Sequence, residues 1–284
     1  VPAVRWTTPA DIPTKAISRI EKLADHDWAH ALITAEYLVS QPVTGMMIRE
    51  IAINGVHTKW IEQNATLLLD LIGPPEDELP DGSPLAKLQH VLGLRAKDTR
   101  LNVALLCPDL RAIAGGMQRF SATIDTLNNS HLQPRTVLII ENDQPGHTLT
   151  TELPGLAVLH GLGDSATILA ALRWLRTAAV TLYWGDIDRA GLQIVASLRR
   201  AGIRVQSLLM DCNTFNAHGG LLHKATKLHA ADQAVPDGLS NDEAALYREL
   251  NAHFERTGHE WQLEQEHLPA QAVEAALLAA VANR

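Results

Sequence analysis

Three acidic residues, distant along the chain, have the spacing and surroundings of a divalent-cation site. Glu141 directly follows the apolar run Thr136–Ile140, and Asp186 and Asp188 follow a second run, Val180–Trp184, within Gly185-Asp186-Ile187-Asp188. Two aspartates that alternate in extended backbone point the same way and can share one ion. Hard Mg²⁺, or Mn²⁺, takes oxygen ligands and needs one or two carboxylates together with substrate phosphate. Such ions activate water and stabilise the leaving oxygen of a phosphodiester. Carboxylates held close together also repel, and a metal or a raised pKa is the usual remedy. Gly185 and Gly191 bracket the pair and leave room for close approach of backbone or phosphate. An isolated Asp-x-Asp is more often two solvated loop carboxylates, so the weight falls on how the chain arranges the set.

That arrangement depends on the elements that carry it. Residues 136–140 and 156–159 and the run 180–184 are short, β-branched or aliphatic, and apolar on both faces, as buried parallel strands are. An amphipathic helix over 165–178, a helix over 190–201 and a fourth strand over 204–210 complete an alternation that predicts an α/β sheet with right-handed crossovers. In such a sheet the ligand crevice lies beyond the carboxyl ends of the strands, so Glu141, Asp186, Asp188 and Asp211 are delivered to one edge. Asp211 is a further candidate metal ligand, with capping of a helix near Asn213 as the competing role. Glu266, in Glu264-Gln265-Glu266, is another, although an exposed strand would carry the same residues. Ser240 with Glu243 has capping-box spacing and opens a helix to about 256, and Pro269 opens the last helix.

The first half reads differently. Apolar residues recur three and four apart over 15–23 and 27–39, a turn follows at 41–45, and Thr58 opens a helix running to Leu71 that Gly73-Pro74-Pro75 stops. Another helix is expected over 85–92, and 100–106 reads as a strand. Helix, turn and second helix suit a helix-turn-helix module, winged helix included, or any small helical domain. The boundary is placed between residues 130 and 131. Arg49, His57 and Lys59, with Arg95, Lys97 and Arg100, are candidate phosphate contacts.

Charge does not favour extensive DNA wrapping, since residues 1–130 hold 12 basic against 15 acidic residues and 131–284 hold 12 against 17. Phosphate neutralisation supplies most non-specific affinity, so DNA binding would rely on a local patch or on a partner. Two cysteines are too few for a disulfide framework and suit buried thiols in a reducing cytoplasm. No apolar run is long enough for a membrane span, and no leader opens the chain. The first residue is Val1 rather than Met, as in a fragment. His218, His223 and His229 lack the spacing of a zinc motif, and no zinc site is expected. Gly161-Leu162-Gly163-Asp164-Ser165 suits a turn and N-cap, or an anion at a helix N-terminus.

Several strings together resemble a known family. Ile140-Glu141-Asn142, Tyr183-Trp184-Gly185-Asp186-Ile187-Asp188-Arg189-Ala190-Gly191, Ser207-Leu208-Leu209-Met210-Asp211 and Leu263-Glu264-Gln265-Glu266 are similar to the nuclease subunit of the Wadjet plasmid-defence system, also called JetD or MksG. Arg49-Glu50-Ile51 and Gly55-Val56-His57-Thr58-Lys59-Trp60-Ile61-Glu62 resemble its upstream segment, so the likeness runs from roughly residue 30 to the C-terminus. The resemblance implies kinship with the A subunit of topoisomerase VI. It further implies a C-terminal Toprim domain over 131–284, preceded over 1–130 by a mainly helical, winged-helix (CAP-like) DNA-binding domain. Little precedes residue 26, which implies that the family's N-terminal arm is missing or shortened and docking to partners affected. Also implied are a homodimer, double-stranded and probably circular plasmid DNA as substrate, and an SMC-like, loop-extruding complex with kleisin and winged-helix subunits as partner. Topoisomerase VI attacks with a tyrosine; of Tyr37, Tyr183 and Tyr247 only Tyr37 lies in the first half, within an amphipathic helix where a core role is expected. Hydrolysis by metal-activated water is therefore expected, with a topoisomerase-like transesterase or an inactive DNA-binding adaptor as the alternatives.

Overall fold

The apolar runs form the centre of a six-stranded sheet. In the computed structural model, which describes residues 17, 19–74, 79–80, 82–95, 98–162, 168–225 and 234–282, the chain divides into two compact units, Val1–Asp98 and Thr99–Arg284. The first unit is helical. Its elements are α1 (Asp25–Ser40), α2 (Thr58–Gln63), α3 (Ala65–Ile72) and α4 (Pro84–Leu92). An isolated bridge joins Ile53 and Val56, and no β-hairpin occurs among the described residues of this unit. Its core gathers Leu38, Ile61, Leu68 and Leu88, with Tyr37 packed against it. The helix expected from Thr58 to Leu71 breaks at Asn64, whose side-chain amide donates to the Trp60 carbonyl (2.9 Å) and competes with helical backbone bonding. Of the helix expected over 15–23, residues 15, 16 and 18 lie outside the described residues, 17, 19 and 20 are helical, and 21–23 form a turn and bend.

The second unit takes in 32 residues, 99–130, beyond what the change of sequence rhythm suggests. β1 (Arg100–Leu105) pairs antiparallel with β2 (Arg119–Thr123) on one side and with β4 (Leu156–His160) on the other. The strand expected over 100–106 thus belongs to the α/β sheet. β3 (Thr136–Ile140), β4, β5 (Val180–Trp184) and the two-residue β6 (Gln206–Ser207) run parallel, and the order is β2-β1-β4-β3-β5-β6. Every position of β3, β4 and β5 is buried, which accounts for their unbroken apolar composition. The chain leaves β3 toward β4 but leaves β5 toward β6, so the crevice of an open sheet opens between β3 and β5.

Two elements depart from expectation for local reasons. The helix over 165–178 is not continuous: 163–167, with Gly163, Asp164 and Ser165, lie outside the described residues, 168–171 are 3₁₀, and α-helix is confined to Trp174–Thr177. Here the Asn128 side chain accepts from the Arg173 N–H (2.8 Å) and donates to the Ala171 carbonyl (3.0 Å), taking the groups that a through-going helix would pair. The strand over 204–210 shrinks to β6, and Leu209 adopts a left-handed backbone (φ 57°), which ends extended structure. Cys107 and Cys212 are free thiols. Among the described residues no helix is long and apolar enough to cross a membrane.

The long helix Asn241–Thr257 opens with the expected capping box, and its Glu243 does more than cap. Buried, it accepts from the Ser240 N–H (2.7 Å), the Ser207 hydroxyl (2.6 Å) and both ends of the Arg199 guanidinium. These donors overcome the burial that opposes ionisation and hold its carboxyl down at about 2. A carboxyl depressed in the folded state adds stability above its unfolded pKa, and that stability is lost as pH falls toward the folded value. Glu243→Gln is expected to lose ~2 kcal/mol in urea unfolding at pH 7, and the gap from the parent should close between pH 4.5 and about 2. A gap independent of pH would show that the charge is not what stabilises.

Candidate functional site

Parallel pairing places the acidic residues. Ile140 is opposite Trp184 in the register of β3 and β5, and the Glu141 N–H extends the ladder by donating to the Trp184 carbonyl (3.1 Å). Glu141 and the Gly185–Asp188 segment therefore leave the sheet at the same carboxyl edge. The Asp186 N–H donates to Glu141 Oε2 at 3.3 Å, and the Tyr183 hydroxyl donates to the same oxygen at 2.9 Å. Gly185 is required by this packing: a Cβ there would lie 2.4 Å from Glu141 Oε2 and 2.8 Å from the Tyr183 ring.

The Asp186 carboxylate is buried and surrounded by donors. Oδ1 accepts from the Gln265 N–H (2.8 Å) and the Asn142 amide (3.4 Å), and Oδ2 accepts from the Gln262 amide (2.9 Å). An antiparallel bridge between Ile187 and Leu263, with N–H···O distances of 2.9 and 3.1 Å, brings residues 262–265 to the acidic loop. Asp188, also buried, caps the helix Arg189–Arg200 by accepting from the Gly191 N–H (2.7 Å). Gly191 lets the helix start close beneath the loop, since a Cβ would lie 2.3 Å from the Asp186 carbonyl oxygen.

Electrostatics couple the three. Burial first, then the charges of Asp186 and Asp188, push Glu141 up to about 7, against the Tyr183 hydroxyl and the Asp186 N–H, which favour the ionised form. Burial also raises Asp186, with Glu264 adding like charge, while the Gln265 N–H and the Gln262 amide hold it partly back. Burial and Glu141 lift Tyr183 well above an ordinary phenol, which keeps it a proton donor.

The remaining candidates are spread more widely. Asp211 caps the helix Cys212–Ala217 by accepting from the Thr214 N–H (2.8 Å), the role weighed against metal binding. Glu266 lies in a 3₁₀ turn, Gln265–His267, rather than a strand, and is exposed; its carboxyl is raised by partial burial and by the charges of Asp186 and Glu264. Of the phosphate-contact candidates, Arg49 pairs with Glu62 (3.8 Å), Arg95 with Glu50 (3.7 Å), and His57 caps α2 by accepting from the Lys59 N–H (3.2 Å). Arg100 starts β1 and thus belongs to the second unit, while Arg49, His57, Lys59 and Arg95 belong to the first. Lys97 and His229 lie outside the described residues.

The sequence reading missed the hydrogen-bonding shell of the site. Tyr183 could have been found from its place one residue before Trp184 on the acid-bearing strand. Gln262, far away in the chain, gives no such signal. Also missed is a trio whose ligand atoms all lie within 4.8 Å of one another among the described residues: Asp143, His147 and His160.

Because Glu141 is raised in the folded state, its ionisation opposes folding as pH climbs from its unfolded value toward about 7. In EDTA, the melting temperature of Glu141→Gln relative to the parent is expected to increase between pH 4.5 and about 7 and then level off. A difference that stays flat across that range would mean that Glu141 titrates normally.

No curated protein matches the chain. A family described as an uncharacterised N-terminal protein conserved in bacteria matches residues 2–73. The family described as "Wadjet protein JetD, C-terminal" matches residues 93–277, from just before β1 into the last helix, and so includes every acidic residue of the site. With that match covering more than half of its length, the chain belongs to the Wadjet JetD family.

Proposed function

We propose that this protein is a metal-dependent endonuclease that hydrolyses DNA phosphodiesters. In this reading it cleaves closed circular plasmid DNA as a homodimer, together with an SMC-like loop-extruding complex. Family membership supports a role in Wadjet defence. The second unit is then a Toprim catalytic domain, and the helical first unit is the DNA-binding, CAP-like domain.

The observation that carries the reading is the convergence of Glu141 and Asp186 at the crevice between β3 and β5, with the Asp186 N–H on the Glu141 carboxylate. The donor set suits Mg²⁺ or Mn²⁺, being oxygen-only and acidic. The contacts that favour an ionised Glu141 are a hydroxyl and a backbone N–H rather than a cationic side chain, which leaves the mutual repulsion of the acids to be offset by an ion. Glu141, Asp186 and Asp188 would hold it, with Glu266 beside Asp186 as a further candidate. Bound there, a divalent ion supplies an activated water and charge compensation for the phosphoryl oxygens.

The chain's own groups have separable tasks. Tyr183 and the Asp186 N–H orient Glu141, while Gln262, Gln265 and Asn142 fix the direction of Asp186. Hydrolysis is favoured over transesterification by the state of the tyrosines. Tyr183 and Tyr247 are fully buried, the first donating to Glu141 and the second accepting from the Gln193 amide (3.1 Å), and Tyr37 packs against the helical core.

The test is cleavage of supercoiled plasmid in Mg²⁺ by the protein together with its partner complex. Asp186→Asn and Asp188→Asn are expected to lower the rate at least ~100-fold with unchanged circular dichroism, and EDTA should abolish it. Undiminished cleavage by a folded Asp186→Asn, or a protein–DNA adduct that survives denaturation, would overturn the proposal.

A further inference from the structure

Next to the carboxylates, but with none of the same ligands, lies a group of a different chemical character. Asp143 and His147 are one turn apart on the helix Asp143–Thr148, and His160 ends β4. His160 Nδ1 is 2.9 Å from Asp143 Oδ1, His147 Nε2 is 3.2 Å from Asp143 Oδ2, and the two imidazole rings stand edge to face with centroids 4.8 Å apart. We propose that Asp143, His147 and His160 form a second cation site, selective for a borderline transition metal of the Zn²⁺ class.

The spacing fits such an ion. Bonds of roughly 2.0–2.1 Å in tetrahedral geometry put neighbouring ligand atoms roughly 3.3 Å apart. Here the two rings reach different oxygens of Asp143 at 2.9 and 3.2 Å, and with one atom from each residue the three lie within 4.8 Å, a spread that rotation of the exposed Asp143 and His147 side chains can close. Two imidazoles and one carboxylate select Zn²⁺ or its neighbours over Mg²⁺, which prefers an all-oxygen shell. His160 is buried and presents Nδ1 to the Asp143 carboxylate, which fixes the ring in position to ligate. Asp143 and His147 are each 54% exposed and leave an entry path and an open fourth position on the solvent side.

The backbone makes room for the trio. Gly146 lies against the imidazole, where a Cβ would come 2.2 Å from His160 Cγ. At Gly161, with φ +72°, a Cβ would come 2.7 Å from Asp143 Oδ1. An outer partner is also in place: the Asn102 amide donates to Asp143 Oδ1 (2.9 Å), and the Ser121 hydroxyl donates in turn to Asn102. Supporting hydrogen bonds of this kind orient ligands at metal sites.

The inference does not rest on the proposed nuclease activity. Its test uses the full chain, stripped with EDTA, exchanged into excess Mg²⁺ to occupy the oxygen-only centre, and titrated with Co²⁺ and then Zn²⁺ alone. The parent and Asp186→Asn are expected to take up one equivalent more than His147→Ala, with visible Co²⁺ bands that Zn²⁺ abolishes. His147 is exposed, so its replacement spares the core; far-ultraviolet circular dichroism checks this. Asp143→Asn should weaken the same equivalent by more than the roughly 10–100-fold that losing an outer partner costs. Equal uptake by the parent and His147→Ala, or an equivalent lost in Asp186→Asn but kept in His147→Ala, overturns the site.

Discussion

The pairing of β3 with β5 is the constraint on which the acidic centre depends. A parallel register that sets Ile140 opposite Trp184 fixes where both strands end, and the next residue of each ladder is Glu141 or Gly185. A slip of one residue would turn Glu141 to the other face of the sheet. Side chains that are fully buried on both faces make such a slip costly, and so the apolar core specifies the position of the polar chemistry.

Bringing acids together carries an electrostatic penalty, and the surroundings show how it is distributed. Glu141, raised to about 7 by burial and by the charges of Asp186 and Asp188, is divided between its neutral and ionised forms near neutral pH. Asp186 is supplied with a backbone N–H and two side-chain amides. Asp188 accepts from the first turn of a helix, where partial positive charge favours an anion. Three carboxylates therefore sit in three different hydrogen-bonding environments.

Much of this was legible in the sequence, because buried parallel strands write themselves as short runs with no polar face. Thr136–Ile140 and Val180–Trp184 are strands at those bounds, and the capping box at Ser240 and Glu243 is formed. Long-range partnership was not legible. Nothing in residues 100–105 says that they pair with β4 rather than with the helical segment before them, so the second unit begins earlier than expected. Nor could Asn128 be seen to interrupt the helix over 165–178, since the groups that it binds are more than forty residues away. The Asp143, His147 and His160 trio was hidden for the same reason: two of its members share a helix, but the third arrives on a neighbouring strand.

The Ile187–Leu263 bridge has a consequence for biosynthesis. Asp186 takes donors from residues 262 and 265, which are synthesised 76 and 79 residues after it. While the sheet can form as its strands emerge, the acidic rim stays unfinished until residues 262–265 have been made. A polypeptide terminated before residue 262 would keep the sheet strands yet lack two of the three donors that aim Asp186, the Gln262 amide and the Gln265 N–H, so the pocket is finished by a segment distant in the chain.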